Sequence, residues 1–438
     1  MRTRARLMLA AAAIGAMAAP ALAQQSGPVA TYWVSAATST GMGGMMGQMG
    51  AGGATSGADQ QQQQAQPKPK RPGLGSMLGA AASGMIPGAG MFGGHGGGDS
   101  TGGNNGGGGN GGASGYAAMM QGGGAPVRTL SLQLGSVDKA SGDPTAEHLI
   151  PTGLNMGPSL PLVTPVAPPP AKSEEGDYTP PQMQHPQGKL MIYWGCGEHA
   201  AAAPIVIDFA TVAQGQMPKL PTVEVHSEHP PSQGRAATYG SWPNMKDSQR
   251  VPQDASLVGD HMVRGDYSPD IHFHLDENHD FMGPLTVNQE PTPGGATRLT
   301  WAPVQGATGY YAWLMGMPGG RGGGGDGKTM VMWTSGMTAS AFSALLDYLP
   351  PAEVRRLVAQ QVVMAPSTTE CIVPEEVRGA SAMGLLSMIA YGDEANFADP
   401  PRPTKAKAPW NLKYVVKVRF KSTTSLLLGM DMGGRHGG

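Results

Sequence analysis

Short runs that alternate apolar and polar residues dominate the chain after its first 126 residues. In the first of these runs Leu130, Leu132 and Leu134 are separated by Ser131 and Gln133. Further runs, rich in β-branched and aromatic residues and bounded by glycine and proline, follow at 189–196, 204–209 and 222–228. Period-two alternation in short runs is typical of antiparallel strands that bury one face. The pattern therefore predicts a β-rich region here.

The clearest alternation lies near the C-terminus. One face of this run is apolar and consists of Leu412, Tyr414, Val416, Val418 and Phe420. The other face is basic and consists of Lys413, Lys417, Arg419 and Lys421. Such a run predicts a half-buried strand. By contrast, no long amphipathic helix is indicated between Val127 and Phe281, and the polar, aperiodic stretch at 235–256 is predicted to be a long loop.

Helical spacing is confined to residues 339–364. The first pattern there spaces its apolar residues as i, i+3, i+4 and i+7 at Phe342, Leu345, Leu346 and Leu349. Pro350 and Pro351 then open a second pattern, whose apolar side carries Val354, Leu357, Val358 and Val362. Proline is favoured at the first position of a helix. We therefore predict two short amphipathic helices in this segment.

The second half of the chain resembles a fibronectin type III domain. A strand holding Trp301 is followed by a turn rich in proline and glycine and by a second strand that begins at Tyr310. The run LSMIAY at 386–391 resembles the F strand of that family. The resemblance covers about residues 284–430 and implies a β-sandwich in which Trp301 packs near Tyr310. The helical segment at 339–364 departs from the family and would be an insertion.

These patterns predict a mainly β protein with two antiparallel β-sandwich-like regions. The first covers 126–283 and includes a proline-rich connector at 165–186, and the second is the fibronectin type III-like region at 284–430. Residues 24–125 are rich in Gly, Met and Gln and predict a long disordered segment, with ordered structure beginning near Val127. Residues 431–438 predict a flexible Gly/Met tail.

The N-terminus has the pattern of a secretory signal peptide over residues 1–23. Arg2, Arg4 and Arg6 precede a short apolar run, and Ala21-Leu22-Ala23 provides a small-residue cleavage site. The sequence thus predicts an exported protein, periplasmic or at the cell surface or extracellular. An uncharged stretch at 74–94 carries small residues at four-residue spacing, which allows close helix contact in a membrane. Membrane association and a flexible apolar linker are the two interpretations of this stretch.

The composition limits which classes of partner are expected. Charged residues make up 14% of the chain and the net charge is −2, which argues against a nucleic-acid partner. The chain has two cysteines, Cys196 and Cys371. In an oxidising compartment a disulfide between them is expected, and closing so long a loop contributes about 5 kcal/mol in the chain-entropy description. Two separate buried thiols are the alternative.

A phosphate-loop pattern occurs at Gly322–Thr329, with the sequence GGGGDGKT. A functional loop of this type needs a helix that starts at the Lys-Thr pair, so that backbone N–H groups and the helix dipole hold phosphate. Here the pair opens an apolar alternating run at 328–333, which predicts a strand. We therefore expect a glycine-rich hairpin loop and no nucleotide.

The histidines suggest a metal site. Eight of the eleven histidines lie between His185 and His279, most densely at 270–280. If this stretch is a strand, Ile271, Phe273 and Leu275 face the core and the outward face is polar. The candidate ligands on or next to that outward face are His272, His274, Asp276 and His279. The alternative is a solvated polar face that happens to contain histidine; His226 and His229 form a second, weaker pair.

Methionine suggests a different ion. Met430, Met432 and His436 lie in the C-terminal tail, and a second methionine cluster begins at Met42. Thioethers suit Cu(I), and the tails resemble those of periplasmic copper-handling proteins. The alternative is a purely compositional bias toward glycine and methionine. A metal ion is thus the single cofactor that the sequence suggests.

No hydrolase signature stands out: the single G-x-S-x-G match, at 98–102, lies within the Gly-rich segment at 24–125, and H-E-x-x-H does not occur. Cys196 and His199 could form a nucleophile pair, but three-residue spacing on a strand places them on opposite faces. We therefore expect an exported, non-enzymatic binding or structural protein of the bacterial-type cell envelope, with an unidentified protein or envelope partner. The alternatives are a periplasmic copper- or zinc-handling protein and an enzyme whose site the sequence does not reveal.

Overall fold

The structure, a computed structural model, describes residues 27–43, 124–166, 188–214, 216, 223–316, 329–338, 343–381, 383–405 and 410–429. Several predictions from the sequence lie outside these ranges. They are the signal peptide, the stretch at 74–94, most of the proline-rich connector, the loop at 317–328, and the tail with Met430, Met432 and His436.

The described part of the chain is mainly β, as predicted. Its strands are β1 (Ala30–Thr40), β2 (Val127–Ser136), β3 (Ala146–Leu149), β4 (Ser159–Leu162), β5 (Lys189–Trp194), β6 (Ile205–Asp208), β7 (Thr238–Trp242), β8 (Gly259–Gly265), β9 (Ser268–Leu275), β10 (Val287–Pro291), β11 (Thr297–Trp301), β12 (Gly309–Gly316), β13 (Thr329–Thr334), β14 (Glu370–Val373), β15 (Gly384–Asp399) and β16 (Tyr414–Leu428). The helices are α1 (Phe209–Ala213), α2 (Pro351–Ala359) and α3 (Glu375–Ala380), with 3₁₀ turns at Thr152–Leu154 and Ser343–Leu346.

Three sheets organise these strands. A nine-stranded sheet has the order β6-β5-β13-β12-β15-β16-β1-β2-β7. Its neighbouring strands are antiparallel except for two parallel pairs, β5 with β13 and β1 with β16. A three-stranded antiparallel sheet has the order β10-β11-β14, and a four-stranded one the order β4-β3-β8-β9. The chain therefore builds one wide sheet and two small ones.

The main hydrophobic core joins all three sheets. Its buried side chains come from alternate positions of the wide sheet, such as Tyr32, Leu132 and Val418, and from the small sheets, such as Leu299 and Ile271. Because side chains alternate across a strand, one face of the wide sheet can pack on both small sheets at once. The predicted alternation at 130–134 and 414–420 is confirmed by this packing.

Strand β1 corrects the prediction that ordered structure begins near Val127. All eleven residues of Ala30–Thr40 pair in parallel with β16, and most of them pair antiparallel with β2 on the other side. Both faces of β1 are buried, so its sequence lacks the polar alternation of a half-exposed strand. The prediction of disorder came from the Gly, Met and Gln composition of residues 24–125 as a whole, in which this short run was not recognised.

The division at residues 283 and 284 does not separate the sheets. Strands β5 and β6, from the first predicted region, extend the wide sheet beyond β13, from the second. Within the second region, β11 lies in the three-stranded sheet and β12 in the wide sheet. Their Trp301 and Tyr310 rings have centroids 5.5 Å apart across the core. The two regions therefore share one core.

On its opposite face, the wide sheet is covered over β12 and β15 by the segment at 343–363. Helix α2 packs Val354 and Leu357 against Tyr311 and Ile389 of the sheet. The second predicted helix is thus confirmed, with Pro351 in its first turn. The first predicted helix is wrong in its described part, which is a four-residue 3₁₀ turn at Ser343–Leu346. The following prolines force extended backbone and leave no room for a longer helix there.

Two local predictions in the first region are wrong. The predicted loop at 235–256, which rested on its polar, aperiodic sequence, contains β7. A Cβ at Gly240 would lie 2.5 Å from the Tyr267 hydroxyl, so glycine serves close packing inside a strand. Conversely, residues 223–228 form no strand. The backbone N–H of His226 donates to a carboxylate oxygen of Glu353 instead of to a neighbouring strand.

The described part of the phosphate-loop match is a strand. Thr329 begins β13, which pairs antiparallel with β12 and parallel with β5. The predicted strand after the glycine run is therefore confirmed. Separately, none of the helices within the described ranges is long and apolar enough to cross a membrane.

Candidate metal centre

The two cysteines form a disulfide, as predicted. The Sγ atoms of Cys196 and Cys371 are 2.02 Å apart, and their Cα atoms 5.1 Å apart, across 175 residues of sequence. The bond joins the turn after β5 to strand β14. Cys196 therefore has no thiol to act as a nucleophile, in agreement with the rejection of a Cys196–His199 pair.

A histidine and two glutamates meet next to this disulfide. The Nδ1 atom of His199 lies 3.0 Å from Oε1 of Glu375 and 3.3 Å from Oε1 of Glu376. The two glutamates occupy the first turn of α3, directly after Pro374. Acidic residues are favoured there because they face the positive end of the helix dipole. We call these three residues the surface triad.

Backbone hydrogen bonds hold the two segments of the surface triad together. The N–H of Gly197 donates to the carbonyl of Ile372 at 3.0 Å, and the N–H of Glu375 donates to the carbonyl of Glu198 at 3.0 Å. The N–H of Ala200 donates to Oε2 of Glu376, also at 3.0 Å. This last bond leaves Oε1 of Glu376 turned toward His199. The disulfide and these bonds hold the two segments next to each other before any ligand arrives.

The surface triad is open to solvent. The side chains of His199, Glu375 and Glu376 are 71%, 40% and 39% exposed. Partial burial acts to raise the pKa of Glu376, but hydrogen bonds from its own N–H and that of Ala200, together with His199, outweigh it and lower the pKa. The Glu376 carboxylate is therefore ionised and able to act as a ligand.

The donor set of the surface triad suits a divalent metal ion. Among the residues that the structure describes, these three have their ligand atoms within 4.8 Å of one another, the arrangement needed to share an ion. The sequence did not single out Glu375 and Glu376. The signal was nevertheless present, because a disulfide between Cys196 and Cys371 brings residues a few positions beyond each cysteine into proximity.

The predicted histidine strand is confirmed, but its polar residues make separate pairs. In β9 the side chains of Ile271, Phe273 and Leu275 are buried, while His272 and His274 point outward. The Nδ1 atom of His274 lies 2.8 Å from Oδ1 of Asp260. The equivalent atom of His279 lies 2.8 Å from Oδ1 of Asp276. The structure thus brings together His279 and Asp276 and leaves His274 with another carboxylate.

His226 differs from His199 in its geometry. Its Nε2 atom lies 3.4 Å from Glu224 and its Nδ1 atom lies 3.4 Å from Glu353. The two carboxylates therefore face opposite nitrogens of one ring. One ion cannot be bound by a single nitrogen and both carboxylates in this arrangement. His229, the other member of that pair, is exposed.

A second histidine cluster, which the sequence analysis missed, is buried between the wide sheet and the four-stranded sheet. Nε2 of His148 lies 2.9 Å from Nδ1 of His261, and Nδ1 of His148 lies 2.9 Å from the hydroxyl of Tyr32. Nε2 of His261 lies 2.7 Å from the carbonyl oxygen of Leu257. We call Tyr32, His148 and His261 the buried relay. The side chains are 0%, 0% and 2% exposed.

One tautomer of each ring satisfies the buried relay. A carbonyl only accepts, so His261 carries its proton on Nε2 and its Nδ1 accepts. His148 must then donate from Nε2, and its Nδ1 accepts from the Tyr32 hydroxyl. This set of protons leaves both imidazoles neutral, in agreement with their lowered pKa values. The stacked Phe273 ring, 4.6 Å from that of His261, closes the apolar surroundings.

Burial controls the ionisation of the buried relay. It lowers the pKa of His261 to about 4, against the opposing effect of the hydrogen bond to Leu257. Burial, with the neighbouring His261, holds the pKa of His148 well below its ordinary range. The alternation of β8 carried a signal for this site, because His261 and the buried Val263 lie on the same face of that strand.

No protein-family model, no curated protein and no solved structure matches this chain. The functional argument therefore depends on its own residues.

Proposed function

We propose that this protein is an exported, non-enzymatic binding or structural protein of the bacterial-type cell envelope. The main support for the proposed location outside the cytoplasm is the disulfide. Both cysteines of the chain are used in it, and such bonds persist in oxidising compartments outside the cytoplasm. The pattern of a signal peptide at 1–23 supports the same compartment.

The binding role is inferred from the second region, which we propose is fibronectin type III-like. Two features support this. Consecutive strands β11 and β12 lie in different sheets, as in a sandwich, and Trp301 packs near Tyr310 across the core. Sandwich domains of this kind commonly serve as interaction modules, and that step is an argument by analogy of fold. The partner is an envelope component.

A non-enzymatic role is supported by the state of the candidate catalytic groups. Cys196 is bonded to Cys371, and the histidines of the buried relay are closed to solvent. A general base must reach its substrate within hydrogen-bond distance, which these buried rings do not allow. The enzyme alternative and the copper alternative stay predictions from the sequence.

Fractionation with thiol analysis tests the proposal. The full chain and a variant that lacks residues 2–23 are expressed in a bacterium, and cytoplasm, periplasm, membranes and medium are separated. We expect the full chain outside the cytoplasm with Cys196 and Cys371 paired, as judged by non-reducing mass spectrometry. The shortened variant should stay in the cytoplasm with free thiols. A full chain that stays in the cytoplasm would overturn the proposal.

A further inference from the structure

We propose that the surface triad of His199, Glu375 and Glu376 is a binding site for a zinc-like divalent transition-metal ion, and that the Cys196–Cys371 disulfide preorganises it. The site differs from the histidine strand and the methionine tail that the sequence suggests. It also does not depend on export, so its test is independent of the fractionation experiment.

The distances fit a tetrahedral ion. Zinc bonds to histidine nitrogen and carboxylate oxygen are about 2.0–2.2 Å long, which places neighbouring ligand atoms of a tetrahedron about 3.3–3.6 Å apart. The observed separations from His199 Nδ1 to the two glutamate oxygens are 3.0 and 3.3 Å. An ion can therefore enter with a small outward movement of the side chains. The exposed side of His199 leaves the fourth position to water.

The chemistry of the donors selects the class of ion. One imidazole and two carboxylates form a ligand set of intermediate hardness, which suits Zn²⁺ and neighbouring divalent transition metals. Cu(I) prefers thiolate and thioether ligands, and Ca²⁺ takes six to eight oxygen ligands, which three residues on this surface do not supply.

The supporting contacts are those of a built site. The Ala200 N–H holds the second oxygen of Glu376, and such a hydrogen bond to a ligating carboxylate orients it toward the metal. The ligands come from two segments far apart in sequence, which the disulfide and the backbone bonds at Gly197 and Glu375 pin together. Less conformational entropy is then lost when the ion binds. Opening the disulfide and blocking both thiols should therefore weaken binding.

Metal titration tests the site. Mature protein, stripped of metal by a chelator and dialysed, is titrated with Zn²⁺ in a calorimeter and with Co²⁺ by visible absorption. We expect one ion per chain and a tetrahedral Co²⁺ spectrum. His199→Ala should weaken binding by about 100-fold or more, and Glu376→Gln by at least about 10-fold.

His226→Ala is the matched control, because His226 is also an exposed histidine between two glutamates but presents them to opposite ring nitrogens. It should bind Zn²⁺ as the unsubstituted protein does. His272→Ala combined with His274→Ala should likewise have no effect. Absence of binding in the unsubstituted protein, or binding that survives His199→Ala, would overturn the proposal.

Opening the disulfide tests its role without a cysteine variant, whose folding could fail. The free Cys196 and Cys371 thiolates would themselves bind Zn²⁺, so the reduced protein is alkylated before the titration. We expect the reduced and alkylated protein, with its fold checked by circular dichroism, to bind Zn²⁺ more weakly than the oxidised protein, and His199→Ala to show no such difference. Equal Zn²⁺ binding before and after this treatment would contradict the coupling.

Discussion

The surface triad and the buried relay use the same side chain in opposite environments. His199 lies in solvent, next to two carboxylates, on segments joined by a disulfide. His148 and His261 lie between two sheets with no carboxylate in their chain of hydrogen bonds, which runs from the Tyr32 hydroxyl to the carbonyl of Leu257. The first arrangement leaves an imidazole available to a ligand. In the second arrangement every ring nitrogen is already hydrogen bonded within the protein.

This contrast shows what burial does to histidine. An exposed imidazole costs little in either charge state, so its neighbours decide what it binds. A buried imidazole must be neutral and fully hydrogen bonded, because an isolated charge is expensive away from water. The buried relay should therefore dominate stability, while the surface triad should dominate ligand binding.

The largest effect is expected from His148→Ala. The substitution leaves a cavity and removes a partner from both the Tyr32 hydroxyl and His261 Nδ1, which together should cost about 4 kcal/mol of unfolding free energy. Urea denaturation followed by tryptophan fluorescence measures this cost. His274→Ala, on the exposed face of β9, is the control and should change stability by less than about 0.5 kcal/mol. A loss below about 1 kcal/mol in His148→Ala would contradict the assigned hydrogen bonds.

We expect acid to destabilise the protein through the imidazoles of the buried relay. The unfolded chain binds protons near the ordinary histidine pKa of 6.5, whereas folded His261 resists them down to about 4. Stability is therefore complete above about pH 6.5 and falls as the pH decreases toward 4. The loss is about 1.4 kcal/mol per pH unit, or about 3 kcal/mol from His261 alone.

Denaturation curves across this pH range check the prediction. His148 has a lowered pKa as well and should add a loss in the same direction. In His261→Gln the slope of stability against pH should be shallower, by about one proton, even if the variant is less stable overall. Equal slopes in the two proteins would show that His261 does not titrate as assigned.

An intermediate effect is expected at Glu353, a buried carboxylate beside an exposed histidine. It accepts two hydrogen bonds from Arg356 and one from the backbone of His226. The bonds from Arg356 lower its pKa to about 2, although burial opposes this. Glu353→Gln should cost about 2 kcal/mol at neutral pH and release the segment at 223–228.

Limited proteolysis and denaturation check this prediction together. The variant should be cleaved faster near residue 225, while His226→Ala, which keeps the backbone N–H, should be cleaved at the unsubstituted rate. The contribution of Glu353 should decline as the pH falls from about 4.5 toward about 2, because over this range the carboxylate takes up a proton in the unfolded chain while it is still ionised in the folded one. Unchanged cleavage in Glu353→Gln would mean that this carboxylate does not hold the segment.

The smallest effect on stability is expected at the surface triad itself. His199→Ala in the absence of metal should change the unfolding free energy by less than about 0.5 kcal/mol, because exposed ion pairs contribute little. With saturating Zn²⁺, only the unsubstituted protein should gain stability. Thermal unfolding with and without Zn²⁺ measures both. A large metal-free loss would mean that the surface triad is structural.

The elements predicted correctly are those that a short stretch of sequence is enough to identify. Strands β2 and β9 and the described part of the C-terminal run carry buried apolar side chains at alternate positions with polar residues between them, so alternation identifies them. Helix α2 is marked by Pro351 and by apolar spacing. The disulfide is expected from two cysteines in a chain whose first residues have the pattern of a signal peptide. None of these predictions requires knowledge of which strands are neighbours.

The elements that were missed depend on distant partners. Strand β1 lies inside the wide sheet, between β16 and β2, and both of its faces are buried, so it has no clear alternation. Gly240 of β7 looks like a turn until Tyr267 packs on it. Likewise, His148 and His261 become a pair only when β3 and β8 lie side by side, and Glu375 and Glu376 meet His199 only through the disulfide. Local sequence does not specify these pairings.

The parallel pairing of β1 with β16 has a consequence for the order of assembly. Ala30 pairs with Tyr414, so the centre of the wide sheet joins residues almost 400 positions apart. Contacts of such long range are slow to form, because much chain entropy is lost before they stabilise anything. During synthesis β1 must wait for β16, and the sheet cannot close around the first strand until nearly the whole described chain has been made. The wide sheet of this protein is therefore completed after synthesis of β16 and not alongside it.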